Sequence, residues 1–454
     1  MNPQDKVAEY IVRSCAIGLA AVLTFYWTAY GILPDLFALL LRPALLALAI
    51  VMFLCTLRMP LSGPEVRMVQ IFGGLSLVYL LTSTLAEDPV FAFAGLVKLI
   101  LIQLFCLMLA RAFRHEAVAR DMGISLLLGS IFISLFIIYL YVHTMGFVLP
   151  TYEAVRGFKG LADKQGYALN ETPATALLAF FCAACLLPMK RRLWLIGCAV
   201  AFIGSFFTGS RAALVAPVAA LFLLLVSQGL RSRSVSRKAL AGMALTVAVL
   251  GIAAVLLLLP SRTLTHVSEG RWDLWRAATS KFMERPLLGW GYGSWKDDIV
   301  SRLPGEYKLT SVLVKDQKGG YHNEFINALS EQGIVGFVAI LAFMGYGVVS
   351  SWKLAFRRPL LWKSGAAALV TMFFLVVRAN VEMDGLFGFA QDPVDYLSYI
   401  FIAILVAALS AEEQAGQRLQ ASFEMQRQAF LRQTVNRNRR RMSLSLQSSP
   451  QEEL

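Results

Sequence analysis

Charge is what this sequence has least of. Asp, Glu, Lys and Arg make up 16% of its 454 residues, where a soluble domain carries about 25%. Histidine is scarcer still, with only His115, His143, His266 and His322. None of them joins cysteines or carboxylates at ligand spacing, which argues against a resident metal. The six cysteines all fall inside apolar runs. Cys182-Ala-Ala-Cys185 has redox or zinc spacing, but no second ligand pair accompanies it, so these thiols read as small buried hydrophobes. Ten-residue segments of alternating polarity are lacking, which excludes a membrane β-barrel. No internal repeat of the kind that marks many secondary transporters is visible. No small-residue cleavage site follows the first apolar run, Ile11 to Leu33, which therefore reads as a retained span.

What is there is hydrophobic: 57% of the chain, with a mean hydropathy of +0.62. Apolar runs of about 20 residues recur, each enough to cross a hydrocarbon layer roughly 30 Å thick. The chain is thus expected to be all-α, a polytopic membrane helical bundle. About twelve spans are predicted, near 10–32, 36–57, 66–85, 90–110, 122–149, 172–189, 192–208, 211–228, 238–259, 333–352, 360–379 and 394–411. The sixth is the weakest, being short and bounded by Pro173 and Pro188.

The net charge of +13 does not signal nucleic acid, because the cations sit in short loops between apolar runs. One alternate set of loops holds Arg58 and Arg67, Arg111, Arg114 and Arg120, Lys190 to Arg192, Arg231 to Lys238, and Lys353 to Lys363. The other set is acidic or neutral. By the positive-inside bias both termini are cytoplasmic. Residues 1–259 then hold spans 1–9, residues 260–332 form a long outer loop, and residues 333–411 hold spans 10–12. Residues 412–454 form a basic cytoplasmic tail, partly disordered over about its last 20 residues. That tail carries Arg418, Arg427, Arg432, Arg437 and Arg439 to Arg441, and reads equally as a headgroup-binding helix or a solvated end.

The long loop is the one extended polar segment. Trp272, Trp275 and Phe282 lie at helical spacing and predict an amphipathic helix that Pro286 ends. Gly289, Gly291 and Gly293 then give a turn in which backbone can approach a ligand or another helix. No strand precedes them and no Lys-Ser pair follows, so this is not a nucleotide fingerprint. A second helix is predicted from near Tyr321 to Gly333.

Candidate chemistry lies on the outer face. His322, at a helix start and followed by Asn323 and Glu324, has an intrinsic pKa suited to taking a proton from a hydroxyl at neutral pH. Arg211 enters an apolar run at the outer end of a span, against the charge bias. It reads either as a snorkelling interface residue or as a guanidinium facing a cavity, where it could grip a pyrophosphate bidentately. Arg271 and Arg276 fall on the first loop helix, and Arg285 either caps its C-terminus or binds substrate. Arg156, Lys164 and Arg378 add further outer cations. Together these suit an anionic phosphate ligand.

With these residues in view, the chain resembles the O-antigen ligase and polymerase family of bacterial inner-membrane proteins. The resemblance rests on Gly209-Ser210-Arg211-Ala212-Ala213, on Gly270-Arg271 with Trp275, and on Arg285-Pro286-Leu287-Leu288-Gly289-Trp290-Gly291-Tyr292-Gly293. It is completed by His322-Asn323-Glu324-Phe325 leading into Glu331-Gln332-Gly333-Ile334-Val335-Gly336. It implies a cofactor-free, metal-independent and inverting glycosyl transfer at the periplasmic face of the inner membrane. The donor would be a glycan on undecaprenyl pyrophosphate. Arg211 and Arg271 match the arginines that hold the donor pyrophosphate, and His322 matches the essential histidine. The acceptor would be lipid A-core in a ligase, a second lipid-linked glycan in a polymerase, or a protein. Loop 150–171 has only loose likeness to its counterpart, which weakens Arg156 and Lys164. A lipid-linked sugar flippase is the rival from another class, and would need mid-span charges, for which Arg42, Lys98 and Arg378 are the candidates.

Overall fold

The computed structural model of the chain describes residues 60–86, 88–148, 172–187, 263–294, 323–357, 362–379 and 393–447, with scattered positions between 10 and 55 and between 154 and 207. Every element among these residues is helical. In order they are α1 (Gly63–Ser83), α2 (Pro89–Ala112), α3 (Glu116–Met145), α4 (Thr172–Leu186), α5 (Thr263–Glu284), α6 (Glu324–Trp352), α7 (Trp362–Ala379) and α8 (Pro393–Gln447), with a π-helical turn, Lys353–Arg357, after α6. Five stretches are long and apolar enough to cross a membrane: Gly63–Ser83, Pro89–Ala112, Glu116–Met145, Glu324–Phe356 and Tyr396–Leu431. The predicted spans near 10–32, 36–57, 192–208, 211–228 and 238–259 lie wholly or largely outside the described residues.

Local chemistry sets the helix starts. Ser62 and Glu65 form a reciprocal capping box, with the Ser62 amide donating to Glu65 Oε2 at 2.8 Å. Asp88 accepts from the Phe91 amide at 3.0 Å, and Pro89 opens α2. Each of α1, α2 and α3 buries one side and exposes large apolar residues on the other, among them Leu77, Val97, Leu128 and Leu135. So much uncovered hydrocarbon belongs against lipid. The short α4 differs. Its described side chains from Ala174 to Cys185 are all buried, and α3, α7 and α8 pack around it. An apolar helix covered on all sides belongs to the bundle interior.

One end of the bundle is fastened by charge. Glu65, fully buried, pairs with Arg114, and Asp121 pairs with Arg13. Ser62 and Ser410 share a hydroxyl hydrogen bond of 2.7 Å, tying α8 to the start of α1. From there α8 runs on as helix to Gln447, where the sequence led us to expect a disordered end. After Gly416 no Gly or Pro interrupts it until Pro450, and Gln, Arg, Ala and Leu all favour helix.

The opposite end is fastened by backbone. Helix α6 is broken at Gly333, which has φ +64° and ψ −165°. The predicted end of one helix and start of the next at that glycine coincide with this break. A break strands carbonyls before it and amides after it. Here residues 286–291 supply partners for both. The amides of Trp290 and Gly291 donate to the carbonyls of Ser330 and Glu331, at 3.2 and 2.7 Å. The amides of Ile334 and Val335 donate to the carbonyls of Pro286 and Leu287, at 2.8 and 3.3 Å.

This approach leaves no room for side chains. A Cβ at Gly289 would lie 2.5 Å from the Gln332 nitrogen, and one at Gly333 would overlap the Leu287 carbonyl. Both glycines have positive φ. Gly345, further along α6, has nothing within 4 Å of a Cβ position. Gly333→Ala is therefore expected to cost the left-handed penalty of about 1–2 kcal/mol plus that overlap. Gly345→Ala is expected to be neutral or stabilising by up to about 1 kcal/mol. Thermal unfolding of the detergent-solubilised variants tests this: the midpoint should fall for Gly333→Ala and not for Gly345→Ala.

Candidate functional site

Two helices lead into that junction. Helix α5 ends at Glu284, just before Arg285-Pro286, as the position of Pro286 predicts. It is longer at its start than the aromatic spacing implied, beginning at Thr263. Its buried face is Leu274, Ala277, Ala278 and Lys281, with Trp275 and Phe282 half-buried beside it. The alanines let α5 approach closely, while the rings flank the contact. Lys281 is only 1% exposed. Its ammonium donates to the Ser294 carbonyl and lies 5.4 Å from the Trp290 ring centre. The Trp290 indole N–H donates to the Lys281 carbonyl at 2.8 Å.

Past the break partners, residues 291–294 turn onto the α1–α2 connection. A Cβ at Gly291 would overlap Ala86, and one at Gly293 would overlap Phe91. Tyr292 stacks on Phe91 with ring centres 5.7 Å apart, and Gly95 leaves the space its ring occupies. The three glycines of the loop thus allow close approach to the backbone of α6, to Ala86 in the α1–α2 connection and to the Phe91 ring of α2.

The first half of α6 carries the polar residues. Asn323 caps it, accepting from the Phe325 and Ile326 amides at 3.0 and 3.1 Å. Glu324, Glu331 and Gln332 are all buried. Glu331 accepts from the Gly293 amide at 2.9 Å and from the Asn327 side-chain amide at 3.1 Å. Gln332 hydrogen-bonds the Tyr79 hydroxyl on α1, within electrostatic reach of Glu324 and Glu331. Asn323, Glu324, Glu331 and Gln332 stand in the stretches that carry the family resemblance, but the sequence predicts burial for none of them, nor for Lys281. The available signal was spacing: Lys281 continues the series 274, 277, 278.

The sequence candidates are distributed as follows. His322, Arg211, Arg156 and Lys164 lie outside the described residues. His322 is nonetheless the residue immediately before the Asn323 cap. Arg271 falls on α5. Arg276 is exposed on the same helix. Arg285, also exposed, stacks its guanidinium on Trp290 at 3.8 Å. Arg378 is buried at the C-terminal end of α7. Lys98, one of the charges a transporter reading would use, is exposed on α2.

Residues 196–341 match the family model described as O-antigen ligase. The chain carries an O-antigen ligase family segment. That match covers about a third of the chain and makes this segment similar to the O-antigen ligase family. The matched stretch takes in Arg211, α5, the glycine turn, His322 and the broken part of α6. It leaves out Arg156, Lys164 and Arg378. No curated protein matches the chain.

The Asn323 cap starts α6 and follows His322 in the sequence. Asn323→Ala is expected to remove about 1 kcal/mol of cap stabilisation, raising hydrogen exchange at the Phe325 and Ile326 amides roughly fivefold. Asn323→Asp keeps the acceptor and should keep the protection.

Proposed function

We propose that the protein is a periplasmic-face glycosyltransferase of the O-antigen ligase type. It would move a glycan from undecaprenyl pyrophosphate to a sugar hydroxyl of lipid A-core. What supports this most is that one stretch matched to the O-antigen ligase family holds Arg211, Arg271 and His322 together. The acceptor oxygen attacks the anomeric carbon, and the carbon–oxygen bond to the pyrophosphate breaks with inversion. His322 takes the hydroxyl proton. Undecaprenyl pyrophosphate leaves with the bonding pair, and Arg211 and Arg271 stabilise its growing charge. Because pyrophosphate is already a good leaving group, cations suffice and no metal is required. Arg156, Lys164, Arg276, Arg285 and Arg378 have weaker claims to contact the phosphates or glycan. The alternative is repeat-unit polymerisation, in which a second lipid-linked glycan is the acceptor.

Purified protein in EDTA, given the lipid-linked donor with lipid A-core or with a second donor, separates these. Product on lipid A-core means ligase, and a ladder of longer glycans means polymerase. Inactivity with both acceptors that a divalent metal rescues would overturn the metal-free reading. His322→Ala and Arg211→Ala should each abolish transfer with protein still present in the membrane. Near-normal transfer by both would show that the site is wrong.

A further inference from the structure

The Glu331 carboxylate does more than the helix break requires. The carbonyls before Gly333 are already satisfied by the Trp290 and Gly291 amides. The side chain is fully buried, at 0% exposure. It lies at the C-terminal end of a half-helix, where the backbone dipole already presents partial negative charge. Burial and the dipole both penalise a carboxylate there. Against this it gains the Gly293 amide from the glycine turn and the Asn327 side-chain amide one turn earlier in α6. Asn327 in turn donates its backbone amide to the Asn323 carbonyl at 2.9 Å. A short relay therefore runs from the glycine turn through Glu331 and Asn327 to Asn323, the residue after His322.

We propose that Glu331 is a positioning residue for glycosyl transfer, holding the first turn of α6, and with it His322, in register with the glycine turn. This rests on the reading of His322 as the group that takes the acceptor proton. Glu331 acts through hydrogen bonds and does not touch the donor. An amide can replace the carboxylate: its oxygen accepts from Gly293, and Asn327 can rotate to offer its own oxygen to the new N–H.

Two measurements on the full-length protein in detergent test this. In the first, Glu331→Ala and Glu331→Gln are assayed for transfer from the lipid-linked donor, per folded molecule. A misplaced proton acceptor slows the chemical step, so Ala should lower kcat roughly tenfold or more while donor KM stays within about twofold. Gln should retain most of kcat. An Ala variant that loses only folded yield, with kcat per folded molecule unchanged, would leave Glu331 a merely structural residue. A rise in donor KM at constant kcat would make it a donor contact. Gln failing as badly as Ala would mean that the charge itself is needed. Each of these results overturns the proposal. The second measurement is amide hydrogen exchange, which needs no substrate. Ala should speed exchange in 291–294 and 323–328 while α6 beyond Gly336 is unchanged, and Gln should not. Unchanged exchange in the Ala variant sinks the relay even in a protein that transfers nothing. Transfer that persists in His322→Ala sinks the functional reading but not the relay.

Discussion

The described structure depends on how a helix is broken where it enters the bundle. Hydrocarbon supplies no partner for a stranded carbonyl or amide, so an interrupted helix is tolerated only where protein covers the gap. At Gly333 the gap is covered by Pro286 to Gly291, which accept from one side of the break and donate to the other. Neither partner is optional. Remove the segment and α6 exposes unpaired backbone. Remove the break and the segment has no edge to bind. The two stretches, some 40 residues apart in the chain, are one structural unit.

That unit explains the distribution of glycine. Gly289 and Gly333 face each other's backbone, and each adopts a φ that other residues avoid. Gly291 and Gly293 perform the same service toward Ala86 and Phe91. Gly291 removes a Cβ where it would meet Ala86, and Gly293 where it would meet the Phe91 ring. The result is contact with three helices, α6, α1 and α2, through a turn with almost no side-chain bulk. Trp290 and Tyr292, alternating with the glycines, fill the spaces on either side: Trp290 against Lys281 and Arg285, and Tyr292 against Phe91.

Much of this was legible from residue type, because Pro and Gly constrain the backbone directly. The end of α5 before Pro286 and the interruption at Gly333 could be read that way. The turn at 289–293 was readable as a site of close approach, though the sequence left open whether ligand or helix was approached. What could not be read was burial of charge. Lys281 and Glu331 lie in a polar stretch, where the expected place for a charge is solvent. They become internal only because residues distant in sequence, Ser294 and Gly293, fold back to meet them. Arg285 shows the same limit. Its stacking on Trp290, five residues on, has no local signal in the sequence. The interior place of α4 was hidden for a different reason: hydropathy cannot distinguish a helix surrounded by lipid from one surrounded by other helices.

The junction also sets a lever. Arg271 lies 14 positions before Arg285 on α5, about 21 Å along the axis at 1.5 Å per residue. The Asn323 cap precedes Glu331 by eight positions, about 12 Å by the same rise. A tilt of about 10° at the junction would displace groups that far away by roughly 2–4 Å, whereas a misplacement of about 1 Å can lower a rate a hundredfold. For the proposed transfer, Arg271 on α5 and the start of α6 must keep their spacing. Side-chain packing at the far ends would not ensure that. A rigid joint would, and the joint here has four backbone hydrogen bonds across the break, glycine-tight contact and a carboxylate tie. Precision at the reacting groups is thus bought at a distance from them, in residues that themselves do no chemistry.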